Sequence, residues 1–301
     1  MKKIVAAFSL MISAFANAQQ LPEFSQYLQN DFILNPAIAG TKEYAPVTIS
    51  HRSQWLNFTN APVTQIGSIH GAVNQKVGIG LTLINQTTGP TGMMSAQLSY
   101  AYRIKLTDKT RLSFGVAPMI IQQSLNKNKI TLDEQNDNTF NRISGKSTVA
   151  DINAGVYLYG EKYFVGISVP QLTGNKIRTG DALFTERLRR HYLLNAGYDY
   201  VLNERYTLTP SVLLKVIESG APAQVDVNVK ATYKKLMWVG LSYRFSSSSH
   251  FNEAAIAFLG VSKANFSFGY SYDYSFASIG MYTGGSHELF VSYHIPLKIA
   301  Q

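Results

Sequence analysis

The stretch ANFSFGYSYDYSF, residues 264–276, decides the fold. Phe266, Phe268, Tyr270, Tyr272 and Tyr274 fall on one side of a period-two repeat. Asn265, Ser267, Gly269, Ser271 and Asp273 fall on the other. Successive side chains of a β-strand point to opposite faces, so this segment reads as a strand with five consecutive aromatics on one face. Strands of soluble sandwiches seldom carry such a face. A lipid-facing strand bordered by interfacial aromatic girdles does.

The same alternation recurs along the chain. AQVDVNVK (223–230) sets Val225, Val227 and Val229 against Asp226, Asn228 and Lys230, and ADINAGVYL (150–158) sets Ile152, Ala154, Val156 and Leu158 against Asp151 and Asn153. LLNAGYDY (193–200) sets Leu194, Ala196, Tyr198 and Tyr200 against Asn195, Gly197 and Asp199. We count about fourteen such segments between residues 45 and 296, most of them long enough for a tilted strand to cross a bilayer. The links after even-numbered segments are short (Asn74-Gln75, LTDK, GEK, NE, KK, SKA). Those after odd-numbered segments are longer and polar, the longest at 124–147 and 170–190. An even strand count with alternating short and long links is the pattern of bacterial outer-membrane barrels, whose short turns face the periplasm. The expected fold is therefore all-β: a transmembrane antiparallel β-barrel of about 14 strands over residues 45–301, in the outer membrane of a Gram-negative bacterium and in contact with its lipid, with both termini periplasmic. The polar faces carry Arg103, Asp151, Asp199, Lys215, Asp226, Lys230, Arg244 and Asp273. Buried charges must pair or be hydrated, so these predict an internal salt-bridge network or a narrow wet lumen.

Composition agrees. Charged residues make up 15 % of the chain and mean hydropathy is −0.04. No stretch of the mature chain is apolar enough for a spanning helix. Residues 1–18 read as a signal peptide: Lys2 and Lys3, an apolar run from Ile4 to Phe15, and Ala16-Asn17-Ala18 before a cut at Gln19. With no cysteine in the chain, disulfide, zinc-thiolate and lipid-anchor readings drop out. The net charge of +9 is diffuse, without the basic run that nucleic acid requires. GGSHELF (284–290) holds Ser286, His287 and Glu288, but strand neighbours point to opposite faces, so Ser286 and His287 do not pair along the chain. His51, His70, His191, His250 and His294 lack metal spacing. The acidic loop DEQNDN (133–138) lacks the glycine and closing glutamate of a calcium loop. We expect no catalytic, cofactor-binding or metal site, and no enzyme activity.

Residues 19–44 form an N-terminal extension. In PEFSQYLQNDFILNP, Phe24, Tyr27, Leu28 and Phe32 have helical spacing. Pro22 suits a helix start, and Pro36 pushes Asn35 out of the helical region. The expectation is one amphipathic helix from Pro22 to Leu34 on the periplasmic side, either plugging the barrel mouth or docking on periplasmic machinery. Strand glycines such as Gly78 and Gly80 are expected to let the wall bend or admit a plug.

Taken in order, PEFSQYLQNDFILNPAIAG, RSQWLNF, APVTQ, VGIGLTL, RRHYLLNAGYDY, LTPSVLLK, DVNVKATY, WVGLSYR, GYSYDYSF and GGSHELFVSYHI run over nearly the whole mature chain. Together they resemble the PorP/SprF family of outer-membrane proteins of the type IX secretion and gliding machinery of Bacteroidota. The most specific run holds Phe24, Tyr27, Asn35, Pro36, Gly40, Arg52 and Trp55, which are the candidate family-motif and partner-contact residues. The resemblance implies an accessory barrel that binds, delivers or anchors a secreted surface adhesin with a C-terminal sorting domain. It also implies contact with periplasmic or outer-membrane subunits of the machinery. The alternative is a passive outer-membrane channel or hydrophobic-solute transporter. One departure is that Pro296 ends the last strand in YHIPLKIAQ, where such barrels usually finish on an aromatic.

Overall fold

The structure is a computed structural model that describes residues 21–131, 140, 145–178, 185–218, 221–247 and 252–297. The signal-peptide segment 1–18, His250 and the acidic loop 133–138 lie outside the described residues.

Fourteen antiparallel strands form a closed barrel. They are β1 (Tyr44–Ser53), β2 (Val63–Ala72), β3 (Val77–Thr88), β4 (Thr91–Lys105), β5 (Thr110–Leu125), β6 (Lys146–Gly160) and β7 (Tyr163–Val169). The second half comprises β8 (His191–Tyr198, continued after Asp199 by Tyr200–Val201), β9 (Tyr206–Ile217), β10 (Gln224–Tyr233), β11 (Met237–Ser246), β12 (Asn252–Lys263), β13 (Phe266–Ser275) and β14 (Ser286–Pro296). Each strand pairs with its chain neighbour, and β1 closes on β14 from Tyr44 opposite Pro296 to Ser53 opposite His287. Closure gives every strand of the wall a neighbour on both sides, the condition for a sheet to sit in lipid.

The alternation read from the sequence sets the two faces. Phe266, Phe268 and Tyr274 are exposed on the outer wall, while Ser267, Ser271 and Asp273 are buried inside. Two aromatic girdles follow. Near the short turns, Tyr198 packs on Tyr200, Tyr206 on Tyr233, and Phe266 on Tyr293. Near the long links, Tyr243 and Tyr274 pack on Phe276.

One link departs from the expected sorting. β3 and β4 run on to Thr88 and Thr91, so their connection is only Gly89 and Pro90, although it lies at the long-link end. Gly89 has φ +56°, a left-handed conformation that glycine adopts at little cost, and this makes the tight turn possible. The 170–190 link behaves differently again. Its described part folds into the barrel mouth, where Ile177 and Leu188 are buried against the inward side chains Met119, Ile121 and Val149. Asp151 holds this fold, its carboxylate accepting from the backbone N–H groups of Thr173 and Asn175 at 3.0 and 3.1 Å.

Candidate functional site: a lumen crossed by the N-terminal segment

The N-terminal segment is not one amphipathic helix. It forms three single 3-10 turns, Gln26–Leu28, Asp31–Ile33 and Pro36–Ile38. A lone helix of this length is marginal in water, because nucleation fixes several residues for each early hydrogen bond. Here the barrel wall supplies the partners instead. The side chains with helical spacing do not share one face: Tyr27 and Leu34 pack with Leu193 and Leu213, with Phe24 beside them, whereas Phe32 packs with Ala37, Ile38, Ala39, Ala101 and Tyr157.

The segment threads the lumen. Glu23 and Ser25 sit among strand residues near the long links, Asn30 reaches Ser68 in mid-wall at 2.9 Å, and Gly40 lies at the short-turn rim. Residues 35–40 lie against wall glycines. A Cβ on Gly115 would stand 2.2 Å from the nitrogen of Ala37, and one on Gly78 would stand 2.0 Å from the carbonyl oxygen of Ala39. These strand glycines admit the segment, as the sequence suggested for Gly78. The substitution Gly115→Val is expected to expel residues 35–40 from their seat and cost about 1–3 kcal/mol, as overpacking does. Limited proteolysis should then cut between residues 25 and 44 while the barrel keeps its heat-resistant mobility on gels. Protection equal to the parent would show that the wall accommodates the added methyls.

Two charge clusters tie the segment to the upper wall. In the first, Glu23 pairs with Lys215 at 3.1 Å and with Arg244 at 3.0 Å. Arg244 also holds Asp226 through Nε and Nη2 at 2.9 and 3.1 Å. The Tyr27 hydroxyl is 3.2 Å from Asp226 and 3.1 Å from Asn228. Two cations thus balance two carboxylates. In the second cluster, Arg52 contacts Asp273 at 2.7 Å and Glu288 at 3.4 Å. Ser25 bridges them: its hydroxyl donates to Asp273 at 2.6 Å and accepts from Arg52 at 3.0 Å, and its backbone N–H donates to Glu288 at 2.8 Å. Charge-assisted bonds of this kind are the strong ones.

At the other end, Arg103 donates to the carbonyl oxygens of Gly40, Asn74 and Val77. Gly40 has φ +73°, and its N–H donates to Nδ1 of His70 at 3.2 Å. Asn35 caps the last 3-10 turn, accepting from the N–H of Ala37 at 2.9 Å, and its amide donates to the carbonyls of Val156 and Ile167. Pro36 opens that turn, where its missing N–H is no loss.

Of the residues singled out from sequence, Phe24, Tyr27, Asn35, Pro36, Gly40 and Arg52 therefore meet at the contact between segment and wall. Trp55 stands apart at the long-link rim, with φ 49° and its N–H 3.2 Å from the Ser286 hydroxyl. Sequence reasoning missed Glu23, Ser25 and Glu288 as partners of the wall charges. The inward parity of Glu288 was a signal for one of them. Nothing in the sequence marked the other two. Ser286 and Glu288 face inward and are buried, while His287 faces outward with its Nδ1 2.7 Å from the Tyr270 hydroxyl.

Below the segment lies a cavity of about 370 Å³ on the β8–β14 side, bordered by Lys42, Asp199, Lys230, Lys235, Trp238 and His294 among others. At the long-link rim, loops 54–62 and 276–285 are stitched by paired backbone bonds. The N–H of Leu56 donates to Gly285 and that of Gly284 to Leu56, both at 2.8 Å. These loops carry no charged residue and expose Leu56, Phe58, Met281 at 77 % and Tyr282 at 75 %.

The toluene transporter TbuX of Ralstonia pickettii is similar in structure, with TM-score 0.52 and 10 % identity over 88 % of this chain and 93 % of that one. A FadL homologue of Pseudomonas aeruginosa gives TM-score 0.51 and 11 % identity over 86 % and 92 %. At these identities the likeness is one of fold. No curated protein sequence matches the chain. The profile of the family described as "Type IX secretion system membrane protein PorP/SprF" matches residues 16–293. That range takes in both the lumen segment and the wall it is tied to, and the chain belongs to the PorP/SprF family of type IX secretion system outer-membrane proteins.

Proposed function

We propose that this barrel serves type IX secretion as an anchoring scaffold rather than as a passage or an enzyme. In this reading it holds a secreted surface protein with a C-terminal sorting domain at the long-link end. Its short-turn end faces the periplasm and meets subunits of the machinery there. The observation that carries the reading is the lumen itself: the chain's own residues 23–40 cross it and are tied at both ends by buried charges. A wall that spends its interior on holding a segment of itself is built for rigidity. The stitched loops supply the outer surface, because an uncharged patch of exposed Leu56, Phe58, Met281 and Tyr282 has the composition of a binding site. Ser286 and Glu288 are engaged inside the barrel and His287 outside it, so these three do not form a catalytic set.

The test is affinity capture of the tagged barrel from native outer membranes, beside a Leu56→Asp/Met281→Asp variant. Capture of a large surface protein by the parent, lost in the variant while periplasmic subunits are retained, supports the reading. If nothing is recovered, and the surface protein still reaches the cell surface in a strain lacking the barrel, the reading fails. The cavity beneath the segment favours a second reading, a passive channel or solute transporter. That reading predicts solute uptake that depends on the barrel.

A further inference from the structure

The cavity under the lumen segment has a chemistry that the scaffold role does not use. Three ammonium groups border it, and they differ in their commitments. Lys42 pairs with Asp31 at 3.5 Å. The Lys230 and Lys235 side chains make no hydrogen bond or close ion pair among the described residues, although the Asp199 and Asp31 carboxylates attract Lys230 at longer range. The nearby Asp199 carboxylate is already engaged by the Thr209 hydroxyl at 2.5 Å. Lys235 is moreover held where lysine is unfavourable. Lys234 and Lys235, in the β10–β11 turn, have φ 49° and 56°, a left-handed conformation that glycine or asparagine takes at lower cost. The turn keeps two lysines there, one lying over the Tyr233 ring at 5.5 Å and the other bordering the cavity.

The strand paired with that of Lys230 brings an aromatic platform to the same cavity, with Thr232 opposite Trp238 in the ladder. Trp238 and Phe290 are stacked with ring centroids 6.1 Å apart, and both border the cavity. Trp238 is buried, and its indole N–H has no acceptor among the described residues, a costly state for a buried donor. Two ammonium groups without a close partner, an aromatic platform and an indole N–H without an acceptor border a space within the usual size range of ligand sites, about 300–1,000 Å³.

The geometry points to a binding site for a carboxylate carried on a short apolar body, entering from the short-turn rim. Its anionic end pairs with Lys230 and Lys235, one carboxylate oxygen accepts from the Trp238 N–H, and its apolar part lies against Trp238 and Phe290. The same chemistry is presented by a small arylalkyl acid and by the C-terminal residue of a protein chain. The inference does not depend on the secretion role, because it is measured on the purified barrel.

The experiment titrates the full-length mature barrel in lipid nanodiscs with four probes. These are 3-phenylpropionate, its amide, and the peptide acetyl-Gly-Gly-Phe with a free or an amidated C-terminus. Binding is read by calorimetry and, in a Trp55→Phe background, by the fluorescence of Trp238. The expected result is saturable binding of the acids, weakened about ten-fold or more for the amides and for Lys230→Gln/Lys235→Gln, as loss of a charge-assisted contact predicts. Tighter binding of the free-terminus peptide than of phenylpropionate identifies a chain end as the natural source, and the reverse order identifies a small acid. Equal binding of acids and amides, or an undiminished affinity in the lysine variant, overturns the proposal. Calorimetry on the unsubstituted protein decides the matter should the Trp55→Phe barrel fail to assemble.

Discussion

Deletion of residues 21–34 is expected to raise the ion conductance of the barrel in planar bilayers by about ten-fold or more, since a wall of this strand number encloses more width than its own side chains fill. The strands do not depend on the segment for their ladder: β1 to β14 pair only with one another. What the deletion removes is the material that crosses the lumen, from Glu23 and Ser25 past Tyr27 and Asn30 to Phe32. The wall charges left behind, Arg244 with Asp226 and Arg52 with Asp273, become hydrated rather than stranded. The variant should therefore still fold and keep its heat-resistant mobility. A folded variant as silent as the parent would show that the lumen stays closed without residues 21–34, and the segment would lose its role as the plug.

The second large effect is on stability. Arg244→Ala is expected to cost about 3–5 kcal/mol, the usual price of breaking a buried ion pair from one side. Asp226 is 0 % exposed, and Lys215, at 3.1 Å from Glu23 and 3.7 Å from Asp226, would be left as the sole cation for two carboxylates. Removing one of those carboxylates as well should return part of the loss, so Arg244→Ala/Glu23→Gln is expected to be more stable than Arg244→Ala alone. Non-additivity of this sign is what a shared network produces. The comparison is Lys105→Ala, whose partner Asp108 sits in a short turn at 93 % side-chain exposure. Exposed pairs contribute little, and this change should leave the urea midpoint of the vesicle-embedded barrel nearly unmoved. Equal shifts for Arg244→Ala and Lys105→Ala would remove the charge cluster from any structural role.

Much of the wall was legible in the sequence because a closed barrel imposes one rule on every strand. Lipid outside and polar contacts inside force a period of two, and that period places Phe268 outward and Asp273 inward without knowledge of their neighbours. The length of an individual link is less well constrained. Thr87, Thr88 and Thr91 continue the β3–β4 ladder although their polar character resembled a loop, because past the apolar band a threonine on either face is exposed to water in a strand as readily as in a turn.

The lumen segment could not be read in the same way. Helical spacing of Phe24, Tyr27, Leu28 and Phe32 described a real tendency to turn, but spacing alone does not say whether a dozen residues find their hydrogen bonds in one helix or on a surrounding wall. The partners that decided it are remote: Ser25 bonds Asp273 from 248 positions away, and Tyr27 bonds Asp226 from 199. By itself the sequence determined the strand count, the two faces of the wall and the presence of opposite charges inside, since each follows from local alternation. Only the tertiary structure decided which charges meet, that Glu23 and Ser25 complete their clusters, and that a polar tract threads the lumen as three short turns. Those outcomes depend on barrel closure and strand stagger, which bring distant positions to one level in the lumen and leave no trace in the local pattern.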